Sequence, residues 1–134
     1  MRDTCLCLHL QRAARAVARR FDAAFRPLGL TSGQFSLLMS LNRPEPATIG
    51  GVATLLAMDR TTLTANLKPL ERRGLVTVTI DSADRRGRQL TLTPGGRALL
   101  YTALPAWEAT HEAITRSLAH PDGDALRGDL RALS

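Results

Sequence analysis

Three arginines crowd the five-residue stretch Asp84-Arg85-Arg86-Gly87-Arg88. A guanidinium is planar, permanently charged and forked, so it suits phosphate oxygens and guanine edges in a way an ammonium cannot copy. At a loop tip such side chains can enter a minor groove, where negative potential attracts arginine. Asp84 stands two residues before Arg86 and can hold one guanidinium in place through a bidentate pair. Upstream, Thr61, Thr62, Thr64, Lys68 and Arg72 fall within one short segment. Short hydroxyls and long cations are the groups that reach base edges and phosphates. Either set alone would also suit a solvated surface. Their meaning depends on the elements that carry them.

The segment from Thr4 to Leu28 predicts a helix, because Cys7, Leu10, Ala14, Val17, Phe21, Phe25 and Leu28 recur at steps of three and four. Arg12, Arg15, Arg19 and Arg26 follow the same step on another face, which reads as a solvated stripe. Thr31 opens a second helix, with Gln34 completing a capping box, and Pro44 and Pro46 end it. Thr48 caps a short third helix to about Leu56, weakened by Gly50 and Gly51. Ala57-Met58-Asp59 is a tight turn, and Asp59 is the N-cap of a fourth helix from Arg60 to Arg73. Leu63, Leu67 and Leu70 line its buried side. Gly74 ends it, and Pro69 predicts a bend or a loosened last turn.

The period then changes from helix to strand. Val76, Val78 and Ile80 alternate with threonines, and Leu90 and Leu92 do the same beyond a polar tip from Asp81 to Gly87. Thr93 and Pro94 open a long helix to about Leu118, which Pro105 is expected to kink. A last short helix runs from Asp124 to Leu133. The fold class is therefore mostly α with a small β-hairpin wing: a winged helix-turn-helix in a single domain of 134 residues. Residues 31–93 form the winged unit, and residues 1–30 and 94–134 are dimerisation helices. The fourth helix would enter a major groove. At about 100° per residue its outer face presents Thr61, Ala65, Lys68 and Arg72, flanked by Thr62 and Thr64. Thr48 joins this set at the start of the third helix, and Arg85, Arg86 and Arg88 join it from the wing.

Charge agrees with this placement. The net charge is +6, and seventeen of the eighteen cations are arginine, Lys68 being the exception. Residues 59–97 hold eight cations against four anions, whereas residues 98–134 hold three against five. The basic surface thus belongs to the middle of the chain, which favours a polyanionic partner, double-stranded DNA first. An enzyme is not expected: there is no nucleotide-binding loop, zinc spacing or nucleophile motif. No cofactor or metal is expected. A basic RNA-binding or structural module would need stacking aromatics. Phe21, Phe25 and Phe35 fall on apolar faces instead, leaving Tyr101 and Trp107. No apolar run reaches a membrane span and no signal peptide is visible, so a cytoplasmic location without membrane contact is expected.

The stretch from Leu63 to Leu100, LTANLKPLERRGLVTVTIDSADRRGRQLTLTPGGRALL, resembles the MarR (multiple antibiotic resistance regulator) family. LERRGLV, DSADRR and LTPGG at these spacings carry the resemblance, and LGLTSGQFSLL from Leu28 to Leu38 matches the entry to the second helix. The resemblance implies a homodimer joined by the first and last helices, binding a pseudo-palindromic operator, usually as a repressor. It also implies relief by a small aromatic or phenolic ligand held between the dimer helices and the winged unit. Two departures stand out. Ala65 replaces a large polar or basic side chain common in the family, and Gly50-Gly51 is unusual in the third helix.

Cys5 and Cys7 are the only cysteines. A two-residue gap within a helix does not favour a disulfide. Cys5, Cys7 and His9 would alternate around a helix rather than converge on a metal. One branch of the family senses organic peroxides through a cysteine early in the first helix, and Cys7 matches that position. That branch holds its thiolate with tyrosine hydroxyls, where this chain has Gln11 and Phe21, so slow oxidation is expected. Cys7 is then a small residue at the dimer seam and Cys5 the more exposed of the two. Redox sensing through Cys7 is the alternative to a ligand signal.

Overall fold

A computed structural model describes residues 1–134. Six helices and three strands follow in order: α1 (Leu6–Phe25), α2 (Ser32–Ser40), β1 (Ala47–Thr48), α3 (Ile49–Leu55), α4 (Arg60–Arg72), β2 (Val76–Ile80), β3 (Arg88–Leu92), α5 (Pro94–Arg116) and α6 (Gly123–Ala132). Residues Gly33–Ala103 form one unit, and residues Met1–Ser32 with Leu104–Ser134 form another.

The Gly33–Ala103 unit carries most of the core. Phe35, Leu37 and Leu38 of α2, Val52 of α3, and Leu63, Leu67 and Leu70 of α4 are all buried. Burying one such side chain contributes about 1.5–3 kcal/mol before entropy is counted. Leu90 and Leu92 bring the sheet into this core. The sheet has three strands, not the two of the expected hairpin. β2 and β3 pair antiparallel from Val76 with Leu92 to Ile80 with Arg88. β1 adds to the other edge of β3, with Ala47 opposite Leu90 and Thr48 opposite Gln89. Two residues directly after a proline, the second of them the helix cap itself, show no strand period, so only tertiary pairing reveals β1.

Glycine is required where the wing meets α5. A Cβ on Gly96 would fall on the carbonyl of Leu75 and within 2.8 Å of Leu92 Cδ1. The backbone can approach this closely only without a side chain. The Thr93 hydroxyl donates to the Gly74 carbonyl at 2.6 Å and accepts the Gly96 N–H at 3.0 Å, which caps α5 and ties the wing to the end of α4. Gly74 takes the left-handed conformation, φ 68°, as a helix-ending residue should.

Neither proline interrupts its helix. α4 continues past Pro69 to Arg72, and Arg73 N–H donates to the Pro69 carbonyl at 3.1 Å, so the last turn closes. α5 likewise runs through Pro105. Proline removes one donor, but the surrounding turns keep theirs.

The other unit is sparsely buried. α1 is 20 residues long yet buries only Phe25, and α6 buries nothing. α1 is shorter than the expected span from Thr4 to Leu28. Cys5 is extended and acts as the N-cap, its sulfur accepting the Leu8 N–H at 3.5 Å. At the other end a 3-10 turn over Arg26–Leu28 closes on Gly29 at φ 66°. No helix is long and apolar enough to cross a membrane.

Candidate nucleic-acid interface

The Asp59 carboxylate builds the start of α4. One oxygen accepts the Thr62 N–H at 2.8 Å and the other accepts the Thr62 hydroxyl at 2.7 Å. These bonds, the backbone one foremost, hold the Asp59 carboxyl below its ordinary range. The cap fixes the first turn of the helix and commits the Thr62 hydroxyl proton. The Thr64 hydroxyl is also committed, donating to the Arg60 carbonyl at 2.8 Å. Both can still accept, but neither can donate to a base without giving up a helix bond. Thr61 has no such bond.

All ten residues predicted to face DNA are exposed: Thr48, Thr61, Thr62, Thr64, Ala65, Lys68, Arg72, Arg85, Arg86 and Arg88. Thr61, Thr64, Ala65 and Lys68 line one shallow concavity of about 360 Å³ along α4. Thr62 and Arg72 lie outside it. A second groove of about 410 Å³ lies between the wing tip and the α3–α4 corner, and Thr48, Thr64, Asp84, Arg86 and Arg88 all border it. The two α4 features meet at Thr64.

The wing tip is shaped by carboxylates bonded to backbone. Asp84 Oδ1 accepts the Arg86 N–H at 3.0 Å, and the Asp84 carbonyl accepts the Gly87 N–H at 2.9 Å. Asp81 Oδ1 accepts the Ala83 N–H at 2.9 Å and the Gln89 amide at 3.4 Å. The expected pair between Asp84 and a guanidinium is therefore replaced by a local turn. A short aspartate reaches its own backbone two residues on at less entropic cost than it can hold a long exposed arginine. The Arg88 guanidinium folds back onto the carbonyls of Arg85 and Gly87, at 3.2 and 3.1 Å. Arg85 and Arg86 make no ion pair, so their charge remains available at the tip.

Arg60, the first residue of α4, borders both concavities and was missed in the sequence. Its signal was the neighbouring oddity, Gly50. A Cβ at Gly50 would lie 2.8 Å from Arg60 Nη2, so the missing side chain makes room for this guanidinium.

The chain matches known proteins on both sequence and fold. A family model described as the MarR family matches residues 30–87. The transcriptional activatory protein BadR of Rhodopseudomonas palustris is 35% identical over 95 residues, covering 69% of this chain and 54% of BadR. The organic hydroperoxide resistance transcriptional regulator of Bacillus subtilis is 30% identical over 99 residues, covering 74% of this chain and 67% of the relative. The crystal structure of the M. tuberculosis transcriptional regulator MosR in complex with DNA aligns at a TM-score of 0.86 and 37% identity, over 96% of this chain and 92% of that one.

The chain belongs to the MarR family.

It spans about half to two thirds of the length of the curated relatives it matches. The departures from the MarR pattern take on physical form here. Ala65 leaves the concavity along α4 open between Thr61 and Lys68. Gly50 admits Arg60, while Gly51 sits beneath the Thr48 cap, its N–H donating to Thr48 Oγ1 at 3.0 Å. Away from the winged unit, Cys5 and Cys7 are both exposed in the single chain. The Gln11 amide donates to Cys7 Sγ at 3.4 Å. The sulfur therefore has a donor after all, an amide in place of a tyrosine hydroxyl. His9 does not join the sulfurs; its Nε2 shares a hydrogen bond with the Asp3 carbonyl at 3.1 Å.

Proposed function

We propose that this MarR-family protein is a cytoplasmic transcriptional regulator, not an enzyme, that binds a pseudo-palindromic DNA operator as a homodimer. The observation that carries the reading is one continuous exposed surface in the Gly33–Ala103 unit. Thr61, Ala65 and Lys68 lie along α4, and Arg86 and Arg88 border the adjoining groove at the wing. α4 would lie in the major groove, with Lys68 and the Thr61 hydroxyl reading base edges and Thr62 and Thr64 offering acceptors. Arg86 would enter the minor groove. Thr48, Arg72, Arg85 and Arg88 would take phosphates. The MosR complex with DNA supports the same use of the fold.

The dimer reading is supported by the poor burial of α1 and α6. Leu126, Leu130 and Leu133 of the last helix region remain 40%, 42% and 62% exposed. A second copy would cover them. Selection from a random duplex library tests the reading. The expected product is an inverted repeat with half-sites about one helical turn apart; recovery of no enriched motif would refute it.

The expected mode is repression relieved by a small aromatic ligand. A second reading, in which an organic hydroperoxide oxidises Cys7, is favoured by the Gln11 amide on its sulfur. The name of the Bacillus relative points the same way.

A further inference from the structure

We infer that Arg60 is a further DNA-phosphate contact and that Gly50 is the residue that positions it; this rests on the DNA-binding reading above. Arg60 opens α4 at the corner where α3, α4 and the wing tip border one groove. Three guanidiniums line that groove, from Arg60, Arg86 and Arg88. None of them is paired with a carboxylate. The two aspartates that share the lining, Asp81 and Asp84, accept backbone N–H groups. The lining therefore holds three guanidiniums against two carboxylates, net positive, with no cation tied up in an ion pair, which is what a phosphodiester recognises.

Gly50 explains why Arg60 points there. It is the second residue of α3, and its backbone is not left-handed, since only Gly29 and Gly74 among the glycines have positive φ. Backbone geometry does not require glycine at this site, and glycine is a poor helix residue. The placement of Arg60 does require it: an added Cβ would lie 2.8 Å from Nη2 and 3.6 Å from Cζ of Arg60. The obstructed atoms are the far end of a flexible side chain. An alanine would therefore be accommodated by swinging the guanidinium away, not by moving the helix.

This separates stability from binding. Gly50→Ala should leave Tm unchanged or raise it by a few degrees through helix propensity. It should nevertheless weaken binding to the duplex recovered by selection, by roughly tenfold, as for a lost charge-assisted bond. Arg60→Ala should do the same and lower the salt slope by about 0.9, one phosphate contact. The double variant should bind like Arg60→Ala alone, because Gly50 acts only through Arg60. The experiment is fluorescence anisotropy of the full chain on that duplex across a salt series, with Tm measured in parallel. Single-variant affinities and slopes equal to the parent would overturn the role of Arg60. Additive losses in the double variant would overturn the positioning role of Gly50. Failure of the parent to bind any duplex would instead overturn the DNA-binding reading, and this inference with it.

Discussion

Asp84 accepts the backbone N–H of Arg86 at 3.0 Å and leaves the Arg86 guanidinium unpaired. The aspartate thus directs the chain at the wing tip and leaves the cation without an ion pair. Asp84→Asn keeps the acceptor and should bind DNA almost as the parent does. Asp84→Ala loses it and should weaken binding by about fivefold, about 1 kcal/mol for one net hydrogen bond. Arg86→Ala should cost more and reduce the salt slope by about 0.9. Anisotropy titrations check all three. Equal losses for Asn and Ala would show that charge, not the turn, is what Asp84 supplies.

Asp59 offers a pH signature. Thr62 holds its carboxyl below the ordinary value of 3.8. A depressed folded value stabilises the protein above the unfolded value, and that stability is lost as pH falls through the folded one. Thermal unfolding of the parent and Asp59→Asn should differ at about pH 7. The difference should shrink only as the pH falls below 3.8. A difference that stayed constant to lower pH would mean that the cap works without its charge.

The last helix predicts assembly. Leu126 and Leu130 are 40% and 42% exposed on α6. Covering the exposed two-fifths of such a leucine contributes about 0.6–1.2 kcal/mol, counted twice in a symmetric pair. Light scattering at micromolar concentration should give a dimer, and Leu130→Glu should shift it toward monomer. A monomeric parent would contradict the homodimer.

Cys7 distinguishes two signals. Under the redox reading, stoichiometric cumene hydroperoxide oxidises the Cys7 thiol to a sulfenic acid and is itself reduced to the alcohol. It should then release the protein from DNA. Cys7→Ser should abolish the release, and Gln11→Ala should slow it by removing the amide at 3.4 Å. Unchanged DNA binding of the folded protein after peroxide would make Cys7 structural and the signal a ligand.

Most of the winged unit was legible because its signals are local. The Asp59 and Thr93 caps, the Gly74 stop and the alternation from Val76 to Leu92 each rest on neighbours in sequence, and each was found as read. β1 was not legible, since two residues pair with β3 across forty positions of chain. Lost too were the hydroxyl protons of Thr62 and Thr64. Residue type suggests free donors, whereas helix geometry commits them to Asp59 and Arg60. Asp84 was identified as an organiser of the tip, but its bond goes to backbone because the nearer partner wins. Arg60 was missed because its importance depends on an absent atom at Gly50, ten residues earlier.

In the proposed function α4 reads sequence while the wing supplies affinity. Lys68→Ala and the parent, measured side by side on the selected duplex and on a scrambled duplex of equal length, separate the two roles. Lys68 is exposed in the concavity along α4. The parent should bind the selected duplex at least about 10³ more tightly than the scrambled one. Lys68→Ala should cost about 1–3 kcal/mol on the selected duplex and much less on the scrambled one. Equal affinity of the parent for both duplexes, or an equal loss on both for the variant, would contradict it.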